Sequence, residues 1–186
     1  MLDEAALIAN TITYMRDNLA GTSTFLMVLN HPEFPSILQS FGIDPGSTMA
    51  FGRNDGTKHP PLDIHESVTR IRGNPQFNLD YVGVFLMATV TLIGDRLSRN
   101  SYFNKTPELE FLRHVRNAVA HGNHFNLKSD EPRRPARFRG FEISQSLNGT
   151  ELFWQFMGPG DVLDLLDEVQ LQLLALSSNS ASISGA

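Results

Sequence analysis

The 186-residue chain contains no cysteine. That absence excludes a disulfide framework and thiolate metal ligation, and it fits a reducing compartment. Basic residues are not in excess either: 15 lysines and arginines face 20 aspartates and glutamates, for a formal net charge of −5. Non-specific affinity for nucleic acid comes mostly from basic groups facing phosphates. The balance therefore argues against a general nucleic-acid coat protein and leaves room only for a local basic strip. Asp3 and Glu4 stand where a secretory leader would carry basic residues, so no signal peptide is expected. The apolar runs read as shorter than a membrane span, and the expected location is cytoplasmic. Internal repeats, a glycine-rich phosphate loop and a heptad series are also lacking. With no cysteine and no serine in a glycine-flanked elbow, nucleophilic catalysis has little support.

What the chain does contain is helical periodicity. Its length suits one domain with decorations. Ala5, Ile8, Ile12, Met15 and Leu19 form a stripe that predicts a helix over 3–20, with Gly21 as its stop. A second apolar segment from Ser23 to Leu29 is broken by Pro32 and Pro35 and resumes over 36–41. Residues 42–76 read as a long irregular loop rich in Gly, Pro, Asn and Asp, with at most a helical turn over 64–71. From Asn78 to Leu97 the apolar arc is wide, which predicts the central core helix, with Gly83 and Ala88 small enough for a neighbour to approach. A short connection over 100–105 then predicts an antiparallel pairing with the next helix. Strand-like runs over 138–144 and 150–157 flank Asn148-Gly149, a preferred tight-turn dipeptide. Asp161 caps a last helix to about Leu176, and 177–186 reads as a flexible tail. The expected fold is mostly α: a single helical-bundle domain over 1–176 with a small C-terminal β-hairpin at 138–157.

The densest chemistry lies in E-L-E-F-L-R-H-V-R-N-A-V-A-H-G-N-H, residues 108–124. Thr106 is a good N-cap, Pro107 suits the first helical position, and Glu108 and Glu110 complement the helix dipole. Leu109, Leu112, Val115 and Val119 make one face core, and Gly122 supplies a left-handed stop. His121 is then expected as the last helical side chain, stacked on the face of Asn117, while Arg116 diverges from it by roughly 140° and reaches round. A guanidinium fork suited to phosphate, an orienting amide and an imidazole that titrates near neutrality together suit phosphodiester cleavage by proton transfer.

At R-N-A-V-A-H, residues 116–121, the sequence resembles the HEPN superfamily, helical domains whose signature is Arg, a polar residue, a short spacer and His. The resemblance covers residues 78–124. It implies an HEPN-like helical bundle and a metal-independent endoribonuclease, without cofactor, whose site forms between the two copies of a homodimer. In that reading Arg116 holds the scissile phosphate, Asn117 orients the substrate or His121, and His121 moves protons as the ribose 2′-hydroxyl attacks, leaving a cyclic phosphate. The setting it implies is a toxin-antitoxin pair or another defence system, with RNA as target and an antitoxin protein as regulatory partner. Arg113, Asn123, His124, Arg133 and Arg134 are the candidate substrate contacts around the motif.

Other readings stay open. Arg116 and Asn117 also suit a tie between the helix end and the Arg-rich loop, and His121 suits a cap over carbonyls. A non-catalytic HEPN-like domain that binds nucleotide, RNA or a protein is the second reading, and a structural dimerisation module the third. His114 and His121 share a helical face with no carboxylate expected beside them, so no metal site is expected. No carboxylate pair is expected in the polar cluster. His31, His59 and His65 read as loop histidines, and Trp154 and Phe156 as core residues before base-stacking ones.

Overall fold

The computed structural model describes residues 3–44, 46–74 and 76–183. They form a mostly helical protein with two small antiparallel β-ladders. In chain order the elements are α1 (Glu4–Leu29), α2 (Phe34–Ser40), β1 (Thr48–Met49), β2 (Leu62–Asp63), α3 (Ile64–Arg72), α4 (Phe77–Arg99), α5 (Pro107–Ala120), β3 (Arg137–Phe138), β4 (Phe141–Glu142) and α6 (Pro159–Ile183). They divide into two compact units, residues 1–19 with 82–186, and residues 20–81.

The first unit is built on four helical faces. Ile8 and Ile12 of α1, Leu86, Val90, Ile93 and Leu97 of α4, Leu109, Leu112 and Val115 of α5, and Leu165, Leu166 and Val169 of α6 are all buried. Burying each such side chain stabilises the fold by about 1.5–3 kcal/mol. Polar ties cross between these faces: Arg96 donates to Thr11 Oγ1 at 2.7 Å, and Thr106 Oγ1 donates to Gln172 Oε1 at 2.6 Å. Thr106 also caps α5, accepting from Leu109 N at 3.2 Å, as its position before Pro107 predicted. Phe111 carries an aromatic cluster on the outer side of α5, with Phe138, Phe141 and Phe156 at centroid distances of 6.1, 6.5 and 6.3 Å. This cluster seats the β3–β4 hairpin against α5.

Contacts along α4 and α5 run in opposite directions, as the short connection predicted. Gly94, near the end of α4, faces the side chain of Arg116. Gly83, nearer its start, faces Trp154, whose loop is tied to Asn123 beyond the end of α5. By length and composition α4 is also apolar enough to cross a membrane, contrary to the reading of short runs. One third of that apolar window is buried, in the face just described, while Leu79, Val84 and Leu92 are exposed.

The second unit holds the paired strands β1 and β2, with Thr48 opposite Asp63 and Met49 opposite Leu62. Asp63 caps α3 by accepting from Glu66 N at 2.8 Å. Phe25 meets Phe34 edge-on at 6.0 Å.

Several expected boundaries move. Gly21 lies inside α1, which runs on to Leu29, because an interior glycine weakens a helix by only about 1 kcal/mol. The 42–76 stretch contains β1, β2 and α3, so His65 is helical and not in a loop. The hairpin forms at 137–142, with φ +49° at Arg139 in its two-residue turn, and not across Asn148-Gly149. Asn148 at φ −57°, ψ 124° and Gly149 at φ +82° make a different turn, closed by Thr150 N donating to Leu147 O at 2.8 Å. The chain leaving it pairs with the segment after α5: Phe125 N donates to Thr150 O at 3.0 Å and Leu152 N to Asn123 O at 2.8 Å. Finally, α6 continues to Ile183 where the sequence reading stopped at 176; residues 184–186 of the expected tail lie outside the described residues.

Candidate functional site

Arg116 and Asn117 are adjacent on the last turns of α5, and the fold puts both in an open groove of about 230 Å³ whose other walls are Ser98, Phe103 and Arg113. Arg116 reaches it by crossing α4 at Gly94. A β-carbon at that position would stand 2.6 Å from Arg116 Cγ and 2.9 Å from its Cβ, far inside contact distance, so only glycine lets the arginine pass. The next residue of α4, Asp95, then holds the guanidinium: Arg116 Nε donates to Asp95 Oδ1 at 2.9 Å and Nη2 to the same oxygen at 2.5 Å. Nη1 is left to donate to Asn117 Oδ1 at 3.3 Å. Arg116 is thereby held in one orientation by Asp95 and Asn117, within the lining of the groove.

His121 is not on α5. The helix ends at Ala120, and His121 is its C-cap at φ −98°, ψ 31°, before Gly122 at φ +72°. Its N–H still donates to Asn117 O at 3.0 Å, so His121 follows Asn117 by one helical turn at the cap of α5. The exposed ring lies within 3.4 Å of Asn126 Nδ2, and His121 is absent from the walls of the Arg116 groove. The motif is thus divided between a groove pair and an exposed imidazole just past the helix end.

Arg113, Arg133 and Arg134 line a second, larger cleft of about 390 Å³, which shares Ser98, Phe103 and Arg113 with the first. Of the sequence candidates the fold thus brings Arg113, Arg116, Asn117, Arg133 and Arg134 to one continuous surface. Asn123 and His124 are placed elsewhere. Asn123, at φ +69°, donates to Glu151 Oε1 at 3.0 Å and accepts from Phe153 N at 3.0 Å, which uses both ends of its amide to hold the 151–157 loop. The His124 ring turns back to Gly122 O at 2.9 Å. Phe156 is in the aromatic cluster as expected, whereas Trp154 stays 50% exposed at φ +78°, which corrects its reading as core.

The wall of the larger cleft holds an ionic cluster that reaches into the core. Glu110 and His114 are 5% and 1% exposed, so each needs a partner. Arg113 supplies one to both: Nη2 donates to Glu110 Oε1 at 2.7 Å and lies 2.9 Å from His114 Nε2, while Nη1 donates to Glu131 Oε1 at 3.2 Å. Glu110 and Glu131 thus share Arg113, and Glu110 stands 3.6 Å from His114 Nε2, against the expectation that no carboxylate would lie beside this histidine. Among the described residues no three His, Asp or Glu side chains gather as a metal-ligand set. Burial works against the charge on Arg113, but Glu110 and Glu131 outweigh it and hold its pKa above the usual value. Burial, and then Arg113, push His114 below the usual histidine range against the opposing pull of Glu110 and Glu131. A guanidinium can only donate, so His114 Nε2 accepts and the ring is neutral with its proton on Nδ1. Burial would raise Glu131, yet the Lys128 N–H and Arg113 hold it below the usual carboxylate range.

The pH dependence follows from the sign of these shifts. A neutral buried His114 contributes stability that is complete above its unfolded pKa, about 6.5, and is lost as pH falls towards its lowered folded value. Glu131 extends the loss at pH values below the ordinary carboxylate range. Urea midpoints should therefore fall between pH 7.5 and about 5.5 for the wild type and fall less for His114→Gln, which offers Arg113 an amide oxygen in place of Nε2. Equal pH slopes for the two proteins would remove His114 as the cause.

Two partners were legible in retrospect. Gly94-Asp95 interrupts an otherwise apolar stretch of α4, and Glu110 stands three and four residues before Arg113 and His114. Glu131 left no such mark, because only the tertiary fold brings it to Arg113. Comparison of the chain with protein-family models, curated proteins and solved structures finds no significant match.

Proposed function

We propose that this protein is a metal-independent endoribonuclease of the HEPN kind, acting as a cytoplasmic homodimer in which the α5 ends of two copies share one cleft. Arg116 binds the scissile phosphate and Asn117 orients it. The ribose 2′-oxygen attacks the adjacent phosphorus, the bond from phosphorus to the 5′-oxygen breaks, and His121 carries protons between the attacking hydroxyl and the departing oxygen. The products are a 2′,3′-cyclic phosphate and a 5′-hydroxyl. A toxin or defence role, restrained by an antitoxin protein, belongs to the same reading.

The observation that carries the reading is the Arg116 constraint. Gly94 gives its side chain passage and Asp95 fixes its orientation, so that it reaches an open groove beside Asn117. The exposed imidazole of His121, a few residues along the chain, is free to meet a substrate or a second copy.

A second reading, a non-catalytic RNA-binding or nucleotide-binding domain, draws on one specific observation: Arg116 is already engaged by Asp95 at 2.5 Å, and His121 is outside its groove. The test is incubation of wild type, His121→Ala and Arg116→Ala with mixed RNA in the presence of a chelator, with end-group analysis of the products. The wild type should leave cyclic phosphate ends, and each variant should cleave about 10²–10⁴-fold more slowly. RNA retained by the wild type without cleavage favours the second reading, and equal cleavage by all three removes the role given to His121 and Arg116.

A further inference from the structure

The cleft beside Arg116 has features that phosphate binding alone does not require. Its two lobes, about 230 and 390 Å³, meet at Phe103, Ser98 and Arg113, and the larger one falls within the ~300–1,000 Å³ typical of small-ligand sites. Phe103 is half-buried in the connection between α4 and α5 and forms part of the wall of both lobes. Among the described residues its ring is the one aromatic group in either lining. The lining carries four arginines against two glutamates, in a chain whose net charge is −5. Both glutamates are turned to Arg113, at 2.7 and 3.2 Å. Arg133 is paired with Asp130 at 2.6 Å. Arg134 is exposed and has no carboxylate partner among the described residues, so it is the open cation of the cleft.

We infer that this larger lobe is a nucleotide subsite next to the scissile phosphate, with Phe103 stacking on the base and Arg134 holding the neighbouring backbone phosphate. The inference rests on the ribonuclease reading for the direction of the strand, since Arg116 and Asn117 mark where the scissile phosphate lies. Every base offers a π-face, so stacking on Phe103 retains RNA with little regard to sequence. Arg134 supplies the salt-dependent part of the affinity. Phe103 and Arg134 are substrate-positioning residues that the signature at 116–121 does not include.

The experiment uses the full chain carrying His121→Ala, so that RNA is not consumed, and reads fluorescence anisotropy of a labelled uridine decamer and of an abasic ribose-phosphate decamer. Phe103→Leu should weaken binding of the uridine decamer roughly 5- to 100-fold, and Phe103→Trp should restore it. The abasic strand should bind the parent about as weakly as the uridine strand binds Phe103→Leu. Arg134→Ala, an exposed position that leaves packing untouched, should weaken both strands alike and reduce the salt slope. Equal affinity of the two strands for the parent, or full affinity in Phe103→Leu, overturns the subsite. Cleavage is scored separately in the His121-intact protein. Base-dependent binding through Phe103 without any cleavage defeats the ribonuclease reading and keeps the subsite, whereas cleavage without dependence on Phe103 does the reverse.

Discussion

Glu110→Ala should lower the unfolding free energy by about 3 kcal/mol. Glu110 is 5% exposed and its carboxylate is the nearest anion to Arg113, at 2.7 Å, so its removal strands a cation over the neutral His114. Breaking a buried pair by taking one partner away typically removes 3–5 kcal/mol. The lower end applies here because Glu131 remains 3.2 Å from the same guanidinium. Glu110→Gln, which keeps an acceptor oxygen and the volume, should fall between the wild type and the alanine variant. Denaturant unfolding at pH 7.5 checks the order. An alanine variant as stable as wild type would mean that water already screens the cluster and that its burial is of no energetic consequence.

On the proposed ribonuclease function, Gly94→Ala should reduce RNA cleavage about 100-fold while changing stability far less. A β-carbon there meets Arg116 Cγ at 2.6 Å and Cβ at 2.9 Å. These atoms lie close to the main chain of α5, so the side chain cannot swing clear by a tip rotation. Arg116 must leave Asp95, or α5 must shift. Overpacking of this kind weakens a fold by about 1–3 kcal/mol, and alanine's better helix propensity returns about 1 kcal/mol of it. The proposed catalysis would have no such compensation, since a displacement near 1 Å at the phosphate can lower rates about 10²-fold. Gly83→Ala is the matched control on the same helix: its β-carbon would meet Trp154 at 3.6 Å, an ordinary contact, and both stability and cleavage should hold. Equal activity in the two alanine variants would detach Gly94 from the site. Loss of cleavage in Gly94→Ala together with gross unfolding would leave the placement of Arg116 without support, which is why stability is measured alongside.

The fold was most legible where one face of a helix had to be buried. Leu86, Val90, Ile93 and Leu97 recur at three and four residues, and they are the buried face of α4. Thr106 and Gly122 bracket α5 to within a residue or two for the same local reasons, a side-chain cap and a left-handed stop. Legibility failed where local preference was weak against its surroundings. Gly21 could end a helix but did not, and Asn148-Gly149 could turn a hairpin but took another turn because the chain beyond it paired with residues 123–125. Trp154 resembled its apolar neighbours in sequence and still stayed half exposed.

The same division holds at R-N-A-V-A-H. The residue types, their order and the helix that carries Arg116 and Asn117 were set by the sequence alone, since capping, dipole and periodicity act within a few residues. Tertiary structure decided which of them share a surface: Asp95 and Gly94 on a facing helix orient Arg116, Glu131 reaches Arg113 from a loop eighteen residues on, and His121 falls on the cap, outside the groove. Asn123, equally polar in the sequence, is consumed by the 151–157 loop. Local rules choose a residue's own backbone state and its partner one turn away, as Glu110 for Arg113; which charge it meets from another helix or loop depends on how those elements pack, and no short-range pattern in the chain encodes that.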